Sequence, residues 1–171
     1  MTKALLLIDL QNDYFPGGAF PLWHAEETLS NVEAAIEQAT AKGVKIIHIQ
    51  HLADPKLGLS PFFNEGTPGA EIHARVRAAA PDAPIVVKAF ADSFHETTLE
   101  ATLRDLDVRE LLVAGMMTQN CVTHTAISKA AEKYDVTILV DCCTTVSEML
   151  HLIALHAVST RVKLAPAGSA I

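Results

Sequence analysis

Short apolar segments alternate along the chain with longer segments in which apolar residues recur at helical spacing. The short segments predict strands near residues 4–9, 44–50, 85–88, 111–115, 136–140 and 162–164. The longer segments predict helices near residues 26–41, 96–106, 121–134 and 147–159. The alternation therefore predicts the α/β fold class, with a single Rossmann-like three-layer α/β/α domain over residues 1–171 and a mainly parallel six-stranded sheet.

Two of the predicted strands end in an ionisable residue. Asp9 directly follows the apolar run Lys3–Ile8, and Lys88 directly follows Ala83–Val87. Such a residue is awkward in a core but natural at the rim of a parallel sheet, where α/β proteins bind their ligands. Each residue has a structural alternative, since Asp9 could cap a turn and Lys88 could reach solvent.

A cysteine follows the fourth predicted strand. The apolar run Glu110–Ala114 ends in Gly115, a few small or polar residues follow, and Cys121 opens an amphipathic segment. This pattern predicts a strand that turns sharply into a helix, with the cysteine in the helix's first turn. Unpaired N–H groups and the positive end of the helix dipole favour a thiolate there. The alternative, a small buried cysteine that packs beneath the helix, stays open at this point.

Four features follow one another over nearly the whole chain: Asp9–Tyr14, Gly66–Ile72, Lys88 and Gly115–Val122. Together they resemble the motifs of the isochorismatase-like cysteine hydrolase family, which includes nicotinamidases, carbamoylsarcosine amidases and isochorismatases. The resemblance implies a hydrolase with a Cys-Asp-Lys triad. Combined with right-handed crossovers, it also implies the strand order 3-2-1-4-5-6.

The family's triad falls on Cys121, Asp9 and Lys88 in this sequence. The first and fourth strands would flank the topological switch point, which brings Asp9 close to Cys121 while Lys88 reaches in from the third strand. The resemblance further implies a cis peptide bond between Met116 and Met117. With Asp9 as proton acceptor, the Cys121 sulfur would attack a planar carbonyl carbon. Backbone N–H groups of Met117 and Cys121 are the expected oxyanion donors.

These expectations predict a cysteine hydrolase that cleaves a C–N bond of a small amide or carbamoyl compound through a thioester. Two alternatives remain open. One is isochorismatase-type vinyl-ether hydrolysis, for which the family can dispense with the thiol, and the other is a non-catalytic family member that binds a small molecule. A nucleotide-binding module is disfavoured, because neither G-x-G-x-x-G nor G-x-x-x-x-G-K-[ST] follows any predicted strand.

The sequence lacks the metal ligands that the resemblance would otherwise imply. Nicotinamidases of this family usually carry an Asp/His metal site beside the triad. Alignment puts His51, Ala53 and Phe62 where its Asp, His and His would stand. Alanine and phenylalanine cannot ligate a divalent ion, so neither a metal nor another cofactor is expected.

Four side chains are predicted to contact the substrate, namely Tyr14, His51, Phe94 and Met116. Tyr14 follows the first aspartate motif, His51 leaves the second strand, and Phe94 lies soon after the third. For each aromatic residue the alternative is core packing. The irregular stretch 52–68 is predicted to be a binding loop, or a loop that packs on a neighbouring subunit.

Composition limits the partners and the setting. Half of the residues are hydrophobic, 19% are charged, and the net charge is −7. The acidic balance argues against nucleic acid or an anionic membrane as a partner, which leaves a small-molecule substrate. No apolar run reaches the ~20 residues that span a bilayer, and no signal-peptide apolar region opens the chain. Three cysteines make no disulfide framework, so a cytoplasmic location is expected. The rich apolar content predicts a homo-oligomer, either a dimer or larger.

Overall fold

A parallel sheet forms the centre of the structure, which is a computed structural model that describes residues 2–171. Its strands are β1 (Thr2–Ile8), β2 (Lys45–His51), β3 (Ile85–Lys88), β4 (Val108–Met116), β5 (Asp135–Thr144) and β6 (Lys163–Ala165). Within the described range these six strands pair in the spatial order β3-β2-β1-β4-β5-β6, and all neighbours run parallel. The predicted fold class and strand order are both confirmed.

Helices cover both faces of this sheet. The α-helices of the described residues are α1 (Ala25–Ala41), α2 (Ala74–Ala79), α3 (Leu99–Asp105), α4 (Thr123–Ala126), α5 (Glu148–Val158) and α6 (Ala167–Ala170). Leu5 and Leu7 of β1 pack in the core beneath α1, α2 and α6, whereas Leu6 and Ile8 pack in the core beneath α3, α4 and α5. The three-layer arrangement follows from this alternation. Helices α2 and α6 were not predicted, because such short helices show no apolar periodicity.

The single helix predicted over residues 121–134 is wrong, because the structure divides this stretch into three parts. A π turn spans Thr118–Val122, α4 follows, and a 3-10 turn spans Lys129–Lys133. The Ser128 side chain accepts a hydrogen bond from the N–H of Ala130 at 3.3 Å, so serine opens the last turn as a cap. The spacing of apolar residues in the sequence does not reveal such an interruption.

The end of β4 passes very close to β1. Gly115 has a φ of 129°, and a Cβ atom there would lie 2.0 Å from the carbonyl oxygen of Ile8, so only glycine fits. The peptide bond between Met116 and Met117 is cis, as the resemblance implied. Asp9, just after β1, has a φ of 52°, a region that aspartate enters more readily than most residues. These turns bring the residues after β4 beside the residue after β1.

One helix exposes apolar side chains instead of burying them. On α5, Met149, Leu152 and Ile153 are exposed at helical spacing. A surface of this kind is compatible with the homo-oligomer predicted from composition, which stays a prediction. No helix among the described residues combines the length and apolarity that a membrane crossing requires.

Candidate active site

Four functional side chains converge at the carboxyl edge of the sheet. Asp9 follows β1, while His51 and Lys88 are the last residues of β2 and β3 and lie opposite each other in the pairing register. Cys121 lies in the turn Thr118–Val122 that follows β4. The carboxyl ends of parallel strands meet at one edge, so residues far apart in sequence become neighbours. The structure thus brings together the three predicted triad residues and adds His51 to them.

The Lys88 ammonium is the centre of this cluster. Its Nζ atom lies 2.9 Å from Asp9 Oδ2, 2.9 Å from His51 Nδ1 and 3.2 Å from Cys121 Sγ. The carbonyl oxygen of Phe90 lies 3.0 Å from the same atom. An ammonium has three protons and no lone pair, so these four acceptors share three donors.

Asp9 and Lys88 form a fully buried ion pair. Burial alone would raise the pKa of the Asp9 carboxyl, but the Lys88 charge and the neighbouring His51 and Cys121 side chains outweigh burial and lower it. Burial alone would lower the pKa of Lys88, but Asp9 and Cys121 outweigh burial and raise it. Both groups are therefore charged at neutral pH, and each is stabilised by the other.

The Cys121 thiol is protonated at rest. Burial raises its pKa, the negative charge of Asp9 raises it further, and Lys88 offsets only part of this increase. The resting thiolate expected from the helix start is therefore not what this environment favours. Asp9 Oδ1 is buried without a hydrogen-bond partner among the described residues, so it can accept the thiol proton.

The backbone around the cysteine forms a π turn that directly follows Met117. The N–H groups of Asn120 and Val122 donate to the carbonyl oxygen of Met117, at 3.0 and 3.3 Å. Among the backbone bonds outside the helices and strands of residues 2–171, none uses the N–H of Met117, while the N–H of Cys121 lies inside the π turn. These are the two predicted oxyanion donors, and their assignment stays a prediction.

Tyr14 and His51 lie near Asp9 and Lys88, and their predicted contact with the substrate stays a prediction. The Tyr14 ring packs edge-on against Phe63 at a centroid distance of 4.5 Å, and the His51 ring lies 5.9 Å from the same phenylalanine. Burial raises the pKa of the Tyr14 phenol, and the charge of Asp9 raises it further. The phenol is therefore neutral at physiological pH.

Phe94 is placed elsewhere, which corrects its predicted role as a pocket residue. The Phe94 ring stacks on Tyr134 at a centroid distance of 6.2 Å and packs on the core beneath α3, α4 and α5. Tyr134 precedes β5 and so lies at the amino edge of the sheet, opposite the triad. Met116 is fully buried in the core beneath α1. Phe94 therefore has a packing role. Met116 belongs to the same core cluster as Tyr14, so its predicted contact with the substrate stays a prediction.

Sequence reasoning missed the function of Gln11. This fully buried side chain accepts a hydrogen bond from the N–H of His51 and donates to the His51 carbonyl oxygen, both at 2.8 Å. It also donates to the carbonyl oxygen of Ala70 at 2.7 Å. Gln11 therefore fixes the backbone of His51 and ties it to the Gly66–Ile72 segment. The available signal was its place in the Asp9–Tyr14 motif, two residues after Asp9.

His151 of α5 is buried against the cysteine turn. Its Nδ1 atom lies 2.8 Å from the hydroxyl oxygen of Thr118, three residues before Cys121. Burial lowers the pKa of the imidazole, so the ring is neutral at physiological pH. This contact holds the cysteine turn against α5, a relation that no local sequence signal carries.

The residues present do not fit a divalent metal. Asp9, His51 and Cys121 each place one potential ligand atom within 4.8 Å of the others. The Lys88 ammonium, however, lies 2.9 to 3.2 Å from all three, so a cation already occupies the position between them. Phe62, at the position of a family ligand, packs its ring on Tyr14 at 5.2 Å.

A cavity of about 330 Å³ opens beside Lys88. It is lined by residues 52–55 and Glu65 of the predicted binding loop, and by Val87–Phe90 and Glu96. The first part of the irregular stretch thus borders the lysine of the triad. A volume of this size suits a small molecule.

Comparisons with known proteins agree with this arrangement. Residues 3–165 match the family model of the Isochorismatase domain. An uncharacterized isochorismatase family protein of Bacillus subtilis (strain 168), YddQ, is 35% identical over 145 residues, which cover 85% of this chain and 79% of that protein. The nicotinamidase of Escherichia coli (strain K12) is 29% identical over 175 residues and 82% of each chain. A crystal structure of an isochorismatase family protein from Desulfovibrio vulgaris has a TM-score of 0.88 at 27% identity, covering 98% of this chain and 95% of that one.

The protein is a doubly wound α/β domain with a sulfur, a carboxylate and an ammonium at the carboxyl edge of its sheet. Its relatives include a nicotinamidase, and this class of protein is a hydrolase. Because the family model matches most of its length, the chain belongs to the isochorismatase family.

Proposed function

We propose that this hydrolase cleaves a C–N bond of a small amide or carbamoyl compound, with Cys121 as nucleophile, Asp9 as proton carrier and Lys88 as charge stabiliser. The observation that carries the proposal is the position of Lys88 Nζ, 2.9 Å from the carboxylate and 3.2 Å from the sulfur. A buried ammonium that contacts both groups can stabilise negative charge on either one as a proton moves between them.

Acylation begins from the protonated thiol and the charged carboxylate. The free Asp9 Oδ1 accepts the thiol proton as the Cys121 sulfur forms a bond to the carbonyl carbon. The carbonyl oxygen becomes an oxyanion, which the N–H groups of Met117 and Cys121 stabilise. Asp9 then returns its proton to the leaving nitrogen, the C–N bond breaks, and a thioester remains on the enzyme.

Deacylation uses the same carboxylate in reverse order. Asp9 takes a proton from a water molecule as the water oxygen attacks the thioester carbon. When the second tetrahedral intermediate collapses, the C–S bond breaks and Asp9 returns the proton to the sulfur of Cys121. The resting thiol and carboxylate are restored, so one carboxylate serves both halves of the reaction.

The test is an ammonia-release screen over small amides, ureas and carbamates with purified protein. The same protein with Cys121→Ala is the blank, because it lacks the nucleophile. Release by the unchanged protein and none by the blank supports the proposal. Release by neither, across the whole screen, would contradict it and favour a family member that binds a small molecule without turnover.

Vinyl-ether hydrolysis is the second candidate, and the family match to the Isochorismatase domain favours it. That reaction needs a proton donor but no sulfur nucleophile. Turnover of a vinyl ether by the Cys121→Ala protein, with no release of ammonia by the unchanged protein, would select this candidate.

A further inference from the structure

We propose that Asp13 is a positioning residue that holds the predicted binding loop, residues 52–68, in place beside the triad. Asp13 acts through the loop and not by contact with the substrate. Residues 52–55 and Glu65 of this loop line the cavity next to Lys88. The inference rests on the proposed function and deepens it, because it says what keeps the site in shape for substrate binding.

The side chain of Asp13 joins two separate loops. Its Oδ1 atom accepts a hydrogen bond from the N–H of Ala19 at 3.0 Å, and its Oδ2 atom accepts one from the N–H of Phe63 at 2.8 Å. The residue is buried, so water does not compete for these bonds. Because both partners are backbone N–H groups, the link does not depend on which side chains the two loops carry.

The bond to Phe63 is the only hydrogen bond that joins the middle of the binding loop to the rest of the described structure. Every other hydrogen bond of residues 53–66 has its partner within residues 53–67. A segment with few bonds to its surroundings opens locally at low free energy. Among hydrogen bonds, the one to Asp13 therefore decides whether the loop stays in place.

Phe63 connects this anchor to the site. The residue is fully buried, and its ring packs edge-on against Tyr14 at a centroid distance of 4.5 Å and lies 5.9 Å from the His51 ring. Its φ of 62° is one that bulky residues adopt only when surrounding contacts hold them there. Its carbonyl oxygen accepts a hydrogen bond at 2.9 Å from the N–H of Ala53, which lines the cavity. Loss of the bond to Asp13 therefore releases both the ring and the cavity wall.

A third segment encloses the same carboxyl group. Gly69 lies so close that a Cβ atom there would be 2.0 Å from Asp13 Oδ1 and 2.3 Å from its Cγ. The backbone of Gly69 is outside the left-handed region, so the approach of Asp13 is what requires glycine. The neighbouring Asn12 donates a hydrogen bond from Nδ2 to the carbonyl oxygen of Pro68 at 2.8 Å. The two sequence motifs that contain these residues therefore form one structural unit beneath the loop.

Two substitutions break this link from opposite sides. Asp13→Ala removes both acceptors of the loop N–H groups. Gly69→Ala leaves Asp13 unchanged but displaces its carboxyl group, because the new Cβ atom would clash with it. The matched controls are Asp105→Ala, at an exposed carboxylate of α3, and Gly168→Ala, where a Cβ atom meets no atom within 4 Å.

Hydrogen exchange measured by mass spectrometry reports on the loop without any turnover. We expect peptides from residues 53–67 to exchange at least about tenfold faster in Asp13→Ala and in Gly69→Ala, while peptides from β1 and both controls stay unchanged. The combined variant should exchange no faster than Asp13→Ala, because the clash requires the carboxyl group. Unchanged loop exchange in either single variant, or an added effect in the combined variant, would overturn the inference. Equal acceleration of β1 would also overturn it, since Asp13 would then stabilise the whole fold and not the loop.

Kinetics with an amide found by the ammonia-release screen completes the test. In Asp13→Ala, KM should rise at least about fivefold while kcat stays within about threefold, because the loop carries no member of the triad. An unchanged KM would overturn the positioning role. A screen that finds no amide would instead contradict the proposed function, and the exchange result would still decide whether Asp13 holds the loop, so the two failures are distinguishable.

Discussion

Two cysteines at the same edge of the sheet, Cys121 after β4 and Cys143 near the end of β5, differ in what surrounds them. Both are buried in the core beneath α3, α4 and α5. Burial raises the pKa of both thiols, that of Cys143 to about 12. Cys143 has the carbonyl oxygen of Val113 at 3.9 Å as its hydrogen-bond partner, whereas Cys121 has an ammonium at 3.2 Å and the carboxylate of Asp9 beside it.

The comparison teaches that a buried thiol needs a proton acceptor and a nearby cation in order to react. Burial keeps both thiols neutral, so neither is a nucleophile at rest. In the Cys121 turn, transfer of the proton to Asp9 leaves the total charge of the cluster unchanged, and Lys88 stays beside the new thiolate. The groups that shift the pKa of Cys143 are the backbone of Gly115 and the charge of Asp141, and no cation is among them. The chemical difference therefore comes from strand order, which places the ends of β1 and β3 near only one of the two cysteines.

The largest expected effect is on turnover. Cys121→Ala removes the proposed nucleophile, so kcat/KM for an amide found by the screen should fall by at least about 10³-fold. Cys143→Ala is the matched control, since it removes a thiol of similar burial, and its kcat/KM should stay within a few-fold of the original. Steady-state ammonia release measures both. A comparable fall in kcat/KM in the two variants would show that the two cysteines do not differ in their importance for turnover.

The next effect separates thiol reactivity from catalysis. Asp9→Asn cannot carry a proton, so turnover should fall by about 10² to 10⁴-fold. Asp9 also raises the pKa of Cys121, so its removal leaves Lys88 to favour the thiolate. Alkylation of Cys121 by iodoacetamide should therefore not slow down, as peptide mass spectrometry would measure. Turnover close to that of the unchanged protein in Asp9→Asn would disprove the role of the carboxylate.

Stability should respond to Lys88. Lys88→Met leaves the buried charge of Asp9 without a partner, and the free energy of unfolding should fall by about 3–5 kcal/mol. Urea denaturation followed by circular dichroism measures it. The double variant Asp9→Asn with Lys88→Met removes both charges and should recover part of the loss. A double variant less stable than Lys88→Met would mean that the pair contributes by packing and not by charge.

The smallest effect is the dependence of stability on alkaline pH. A thiol whose pKa rises on folding contributes stability that is fully present below its unfolded value of about 8.5 and is lost as pH rises through the folded value. For Cys143 that folded value is about 12. The free energy of unfolding should therefore decline above about pH 8.5, and Cys143→Ala and Cys121→Ala should each make the decline shallower. Urea titrations at several alkaline pH values measure the free energy of unfolding. If its decline with pH were equally steep in both variants, the raised pKa values of the two thiols would be contradicted.

The fold was largely predictable from sequence because its signals are local. Each strand is a short apolar run, and α1 shows clear helical periodicity. The types of the elements and the presence of a sheet therefore followed from the apolar pattern. The strand order followed from right-handed crossovers combined with the family resemblance. The division of residues 121–134 was not predictable in the same way, because it depends on the wide π turn and the Ser128 cap. Helix α2 was too short to show a period.

The site residues that lie in sequence motifs were predictable. Those whose position depends on tertiary packing were not. Asp9, Lys88 and Cys121 end or follow strands, so topology alone brought them together. The prediction for Phe94 was wrong because nearness in sequence to a motif does not decide which way a side chain points. The roles of Gln11 and His151 depend on contacts across 40 and 33 residues, which no single segment reveals.

Trapping with hydroxylamine tests the central claim, that the acyl group is carried on Cys121, most directly. A thioester partitions between water and hydroxylamine, so the reaction should yield a hydroxamate whose share of the product rises with hydroxylamine concentration. The Cys121→Ala protein should form none. Continued ammonia release without any hydroxamate, or hydroxamate formation by the Cys121→Ala protein, would contradict the account.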